Sequence, residues 1–143
     1  MDNSWFMSTV LCDDVRKEEG NKLSYMGIYA ANIVLPSFPC TLPKLCFVMS
    51  IVGSAEREPP KALTFRVLKD EELMAEITLP EEALAAAAER ARSDSARESK
   101  RLTIGTVIQI FPVQFTAPCT LKARAVCGAT ELKGGSWPIE TAG

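Results

Sequence analysis

The sequence predicts a mainly β fold, a two-layer antiparallel β-sandwich of immunoglobulin-like shape with one inserted peripheral α-helix, and three observations lead there. Short segments alternate apolar and polar residues as half-buried strands do, turn residues recur about every ten positions, and only one segment has helical composition. With no series of crossover helices, a parallel βαβ sheet is excluded. Seven to nine strands are expected in a single domain over residues 1–143, with a helix and loop inserted at about 80–101.

Thr9 to Val15 and Leu23 to Ile28 flank the polar connector RKEEGNK, whose Gly20–Asn21 pair tolerates positive φ, so a hairpin is expected. Lys44 to Val52 places Leu45, Phe47, Met49 and Ile51 on one face and Cys46, Val48 and Val52 on the other, the pattern of a central strand covered on both sides. Leu63, Phe65 and Val67 alternate with Thr64 and Arg66; KDEE turns the chain; Leu73, Ala75, Ile77 and Leu79 alternate again. This is a second hairpin with one wet face.

Thr78 and Glu81 have capping-box spacing around Pro80, ahead of the helix-forming run Glu81 to Arg92. Leu84 is that run's one large apolar side chain, so the helix is expected at the periphery, without a firm anchor. Ser93 to Arg101 carries no apolar side chain larger than alanine and is expected to form a mobile loop. Leu102 to Phe115 reads as one strand-forming stretch, and Thr120 to Val126 is followed by a Cys-Gly turn and a short return from Glu131 to Lys133. The nine prolines fall mostly at expected strand ends, leaving the central strands clear.

Composition narrows the classes. Hydrophobic residues at 47% and charged residues at 24% are those of a globular chain and not of a disordered one. Sixteen basic against eighteen acidic residues leave a net charge of -2, which provides no global attraction to nucleic acid or an anionic membrane. The first apolar run, Trp5 to Cys12, holds Ser8 and Thr9 and follows an acid, unlike a signal peptide, and no run approaches the ~18 apolar residues that span a bilayer. Five cysteines without a CxxC pair, three of them (Cys12, Cys46, Cys127) in apolar segments, read as buried thiols in a reducing compartment. A soluble cytoplasmic protein is expected.

Chemistry is sparse. The chain has no histidine, which removes Ser-His-Asp and Cys-His systems and every histidine-dependent metal site. No GxxxxGK[ST] or GxGxxG run is present to cradle phosphate. No cofactor, metal or catalytic residue is therefore assigned. The densest carboxylates, Asp13, Asp14 and Glu18 with Glu19, are binding candidates, although a solvated strand end and turn balanced by Arg16, Lys17 and Lys22 is the favoured account of them. Arg90, Arg92, Arg97, Lys100 and Arg101 form a basic helix end and loop with serines suited to phosphate, but no aromatic is interleaved to stack bases. Cys12 beside the acids should have a raised pKa. Trp5, Phe6, Phe38 and Trp137 are expected to close the ends of the core.

The run CDDVRKEEGNKLSYMGIY followed by IVLPSFPCTLPKL, Cys12 to Tyr29 and Ile33 to Leu45, resembles the opening signature of an uncharacterised family of bacterial and phage-encoded proteins. The likeness covers about the first third of the chain. It implies a small β-sandwich and no catalytic residues. A non-enzymatic binding or adaptor domain follows as the expectation, of phage or prophage origin and acting on a host protein through a sheet face, an edge strand or the helix and loop. The alternatives are a small-ligand or nucleotide-binding protein, with or without a metal, and a virion component that forms a homo-oligomer by edge pairing.

Overall fold

The computed structural model describes residues 5–93 and 101–142. In chain order the elements are β1 (Phe6–Glu18), β2 (Lys22–Ile28), β3 (Ile33–Leu35), β4 (Cys40–Leu42), β5 (Leu45–Ser54) and β6 (Leu63–Lys69). There follow β7 (Glu72–Leu79), α1 (Glu81–Ser93), β8 (Arg101–Ile110), β9 (Val113–Phe115), β10 (Cys119–Cys127) and β11 (Thr130–Thr141). The expected mobile loop lies, from 94 to 100, outside the described residues.

The strands form a four-stranded sheet in the order β2-β1-β5-β8, a five-stranded sheet in the order β3-β11-β10-β6-β7, and a two-stranded ladder β4-β9. Both expected hairpins are present. Gly20 and Asn21, at φ 84 and 61, make the β1–β2 turn that a residue with a larger side chain would strain. All pairings are antiparallel except β3 with β11, which run parallel from Ile33 opposite Ile139. β3 enters the five-stranded sheet from β2 of the other one, so no hairpin sets its direction.

One hydrophobic core collects the alternate residues Leu11, Phe47, Met49 and Ile51 of the four-stranded sheet with Phe65, Val67, Leu121, Ala123 and Trp137 of the five-stranded sheet. Trp137 meets Phe47 edge to face at 6.0 Å between ring centres. Trp5 and Phe38 pack partly buried against this core, whereas Phe6 points outward, 54% exposed. The Phe6 position corrects the expectation that all four aromatics close the core.

The strand count exceeds seven to nine because the proline-rich connections themselves pair as the three-residue strands β3, β4 and β9. The stretch Leu102 to Phe115 is two strands: at Pro112, which has no N–H to donate, the chain leaves the four-stranded sheet and β9 pairs with β4. The last strand is far longer than the return from Glu131 to Lys133. β11 continues through Gly134 and Gly135, which form a bulge opposite Ala123 in the ladder to β10. It also carries Pro138 into an interior strand, paired with Thr120 of β10; β3 joins only from Ile139 onward, so the proline has a neighbour on one side.

Gly134 has a steric reason. A Cβ there would lie 2.5 Å from Thr9 Cγ2 and 3.2 Å from the Ala123 carbonyl oxygen. The Gly135 N–H donates to Thr9 Oγ1 at 2.8 Å, tying β1 of one sheet to β11 of the other. The helix departs from expectation twice. Thr78 does not cap it but exchanges a hydrogen bond with Thr64 across β6–β7, and the Pro80 carbonyl accepts the first helical N–H groups, from Ala83 and Leu84. Leu84, Ala88 and Ala91 are buried in the core, so the helix is anchored; its small side chains let it sit close to β8.

Two expected outcomes follow, each read from urea unfolding midpoints. Leu84→Ala should cost about 2–5 kcal/mol, the range for a buried leucine whose site cannot fully collapse; a cost under about 1 kcal/mol would mean that the helix is not anchored there. Gly134→Ala should cost about 1–3 kcal/mol by overpacking against Thr9, and Thr9→Ser, which removes the crowding methyl and keeps the hydroxyl, should recover part of that loss.

Candidate functional site

The carboxylates singled out from the sequence sit at the end of β1 and are engaged locally. Asp13 accepts a hydrogen bond from the Tyr29 hydroxyl at 2.5 Å. Burial, and then this carboxylate, raise the Tyr29 pKa. Asp14 accepts from Lys44 Nζ at 2.5 Å and from the Val15 N–H at 3.0 Å. The Lys44 hydrogen bond holds the Asp14 carboxyl below its ordinary value, and Asp14 raises Lys44 in return. Glu18 faces Arg16 at 4.0 Å. Among the described residues no three histidine, cysteine or acidic side chains converge in a way that would hold a metal ion.

The basic candidates lie elsewhere. Arg90 and Arg92 occupy the last turn of α1, where cations complement the helix dipole. Arg92 donates to the Ala55 carbonyl at 3.1 Å and to Glu89 at 3.2 Å. Arg101 opens β8 opposite Ser54, while Arg97 and Lys100 lie outside the described residues. Lys44, which holds Asp14, precedes β5, and Ser54 ends it, so the acids and Arg101 stand at opposite ends of that strand, about 30 Å apart at ~3.3 Å per residue. The fold does not bring the two groups together. A cleft of about 320 Å³ between residues 56–61 and α1 is lined by Glu56, Lys61, Glu81 and Arg92, a mixture of signs with no convergent set.

Cys12 and Cys46 face each other across β1 and β5 and are fully buried, whereas Cys127 is half-buried. Burial is the main cause that raises the Cys12 thiol, with the neighbouring Cys46 and the acids adding to it; burial likewise raises Cys46 and Cys127. These sulfurs are protonated near neutrality and make poor nucleophiles.

The four-stranded sheet offers a different surface. Its register aligns Ile28, Cys12, Cys46 and Gln109 in one row, then Val10, Val48 and Val107, then Ser8, Ser50 and Gly105, then Phe6, Val52 and Thr103. Side chains alternate along a strand, so these rows share the face opposite the core residues Leu11, Phe47, Met49 and Ile51. None of the thirteen residues is charged. Cys12, Cys46 and Val52 are buried, but Val10, Val48 and Val107 are half-buried and Ile28 is 58% exposed. The expectation that both sides of β5 are covered holds in part: on the second side Cys46 and Val52 are buried, while Val48 and Ser50 are half-buried. Sequence reasoning missed this surface although one signal for it was available: KLCFVMSIV is apolar on both faces. The face measures about 14 by 20 Å at usual strand spacings, a footprint on the order of 300 Å², the lower end of the range for the largest patch on an ordinary monomer. Among the described residues, charge returns at its ends, at the Asp14–Lys44 pair and at Arg101.

The Asp14–Lys44 pair has a defined pH signature. Its carboxyl is depressed in the folded state, so its stabilisation is present above the ordinary carboxylate range and lost as pH falls through the folded value. The raised Lys44 keeps its contribution until pH rises through its own folded value. Lys44→Met should therefore lower the urea midpoint at neutral pH, with the difference from wild type vanishing near pH ~2. A difference that persists undiminished in acid would show that the lysine acts by packing alone.

No curated protein and no solved structure matches the chain. A family model matches residues 7–134, from the second residue of β1 to the bulge of β11, and so extends well past the opening run that first carried a resemblance. Among the described residues no helix is long and apolar enough to cross a membrane. The chain belongs to the family of unknown function DUF6941.

Proposed function

We propose that the chain is a non-enzymatic protein-binding domain of the cytoplasm, an immunoglobulin-like two-layer sandwich over residues 1–143. Its contact surface is the outer face of the four-stranded sheet; its partner is a host protein, and its origin is phage or prophage, as the opening run implies. The observation that supports this reading is the continuous uncharged face centred on Val10, Val48 and Val107, with Phe6 and Ile28 projecting from its corners. An apolar, charge-depleted centre rimmed by ionic groups is the composition of a protein interface core. The carboxylates and thiols favour no reaction, since the former are engaged at strand ends and the latter are protonated.

The test is affinity capture from a bacterial lysate with intact protein, Val48→Lys and the control Glu131→Lys on the five-stranded sheet, with folding checked by circular dichroism. Wild type and the control should retain one partner in stoichiometric amount, and Val48→Lys should lose it. Equal retention by all three, or no retained protein, would overturn the assignment of this face.

A further inference from the structure

We infer that the outer face of the five-stranded sheet holds a site for a dianionic phosphoryl group, built by Arg66, Arg124 and Lys133. The site lies on the other sheet from the proposed protein-contact face and does not rest on that reading. Register places the three cations in one row. Arg124 of β10 stands directly opposite Arg66 of β6 on one side and directly opposite Lys133 of β11 on the other. Phe65, Val67, Ala123 and Ala125, the sequence neighbours of the two arginines, are buried in the core. By strand alternation the row therefore points outward, with Arg66 and Arg124 half-buried and Lys133 exposed.

Like charges directly opposite across a sheet are destabilising, and here two such pairs share one arginine. Elsewhere on this face the pairing rule is kept. Thr64 and Thr78 share a hydrogen bond at 2.8 Å, and Lys122, two residues along β10, donates to Glu71 at 3.0 Å. The row's own acid is Glu76, which accepts from Arg66 Nε at 3.0 Å. Among the described residues neither Arg124 nor Lys133 forms an ion pair, and Glu131, two residues from Lys133, forms none either. Arg124 turns one terminal nitrogen onto the carbonyl of Ala123 at 2.8 Å, a contact that fixes the guanidinium while its remaining N–H groups stay available. A local rule broken where the surrounding rules are kept is the mark of a functional position, at which a ligand supplies what the fold omits. The β-bulge between Lys122 and Arg124 adjoins the row, and bulges re-aim side chains beside such sites.

The charge count sets the ligand class. The row spans about 10 Å at usual strand spacings, within reach of one compact anion on side chains of this length. Two cations without an acid call for a dianion, since a carboxylate would leave one of them uncompensated. A phosphate monoester carries about -1.5 to -2 charge at neutral pH and three acceptor oxygens, and a guanidinium meets such oxygens in a bidentate fork. The outward positions of β6, β10 and β11 hold no aromatic side chain, so nothing there stacks a base and recognition stops at the phosphoryl group.

Isothermal titration calorimetry of the full chain with inorganic phosphate and with pyrophosphate tests the site. Pyrophosphate should bind with a dissociation constant at or below about 1 mM. Arg124→Gln and Lys133→Gln should each weaken it by about tenfold or more, the loss expected for one charged hydrogen bond. Lys61→Gln, at an exposed position outside this sheet, and Val48→Lys, on the protein-contact face, should leave pyrophosphate binding unchanged, so the two assignments stand or fall separately. Urea unfolding gives a second readout: without anion, Lys133→Gln removes the repulsion and should raise the midpoint above wild type, and pyrophosphate should narrow that gap. Cosedimentation with phosphatidylcholine vesicles containing phosphatidate identifies the carrier. Vesicle binding that Arg124→Gln abolishes assigns the phosphoryl group to a lipid; pyrophosphate binding without vesicle binding assigns it to a soluble ester. The proposal is overturned by wild type that gives no heat and no rise in midpoint with pyrophosphate. Equal weakening by Lys61→Gln, or an anion-free midpoint that falls on Lys133→Gln, overturns it too.

Discussion

The fold turns on one close approach, where β11 carries two glycines past Thr9 of β1. Stacked sheets ordinarily lie about 10 Å apart with side chains filling the gap. Here the bulge at Gly134–Gly135 removes two Cβ atoms from β11, and the Thr9 hydroxyl reaches the Gly135 N–H directly. The packing around that contact is equally tight: a Cβ on Gly135 would lie 2.6 Å from the Trp137 ring, which in turn stands edge-on to Phe47 of the other sheet. Because the two sheets are joined at this corner, the remaining inward residues can close as one cluster. The opposite side, where β7 and β8 are the edges, is filled by α1 through Leu84, Ala88 and Ala91.

A core closed in this way frees the polar groups for local work. Asp13 and Asp14 hold Tyr29 and Lys44 beside the end of β1, and no buried side-chain nitrogen or oxygen among the described residues lacks a partner. Each such contact is a surface interaction of modest energy. Together they position the ends of β1 and β5, which carry the buried cysteine pair. The small size of cysteine, valine and serine on the outer side of these strands keeps that face flat and free of charge.

Much of the strand pattern was legible in the residues themselves. The period of two in Leu63 to Leu79 and in Thr9 to Ile28 depends on a local rule, that successive strand side chains point to opposite faces, and local rules can be read without a partner. The helix was legible for the same reason, from the propensity of Glu81 to Arg92, although the capping box read at Thr78 and Glu81 did not form. Its anchoring was not, because alanine carries no signal of burial until a neighbouring strand comes near enough to cover it. Pro112 was visible, yet its effect, the transfer of the chain from one sheet to a separate ladder, required a partner strand at Cys40–Leu42.

The candidate site divides along the same line. By itself the sequence determined that histidine chemistry is absent, that the carboxylates cluster at Asp13 to Glu19, and that Lys44 to Val52 is apolar on both faces, since these are properties of contiguous residues. Only the tertiary structure decided that Val10, Val48 and Val107 form one row, that the last strand runs on through Gly134–Gly135 well past Lys133, and that β8 is an edge strand of its sheet. Each of those depends on strand order and register. These arise from contacts between residues far apart in the chain, so the pattern within a strand does not encode which strand lies beside it.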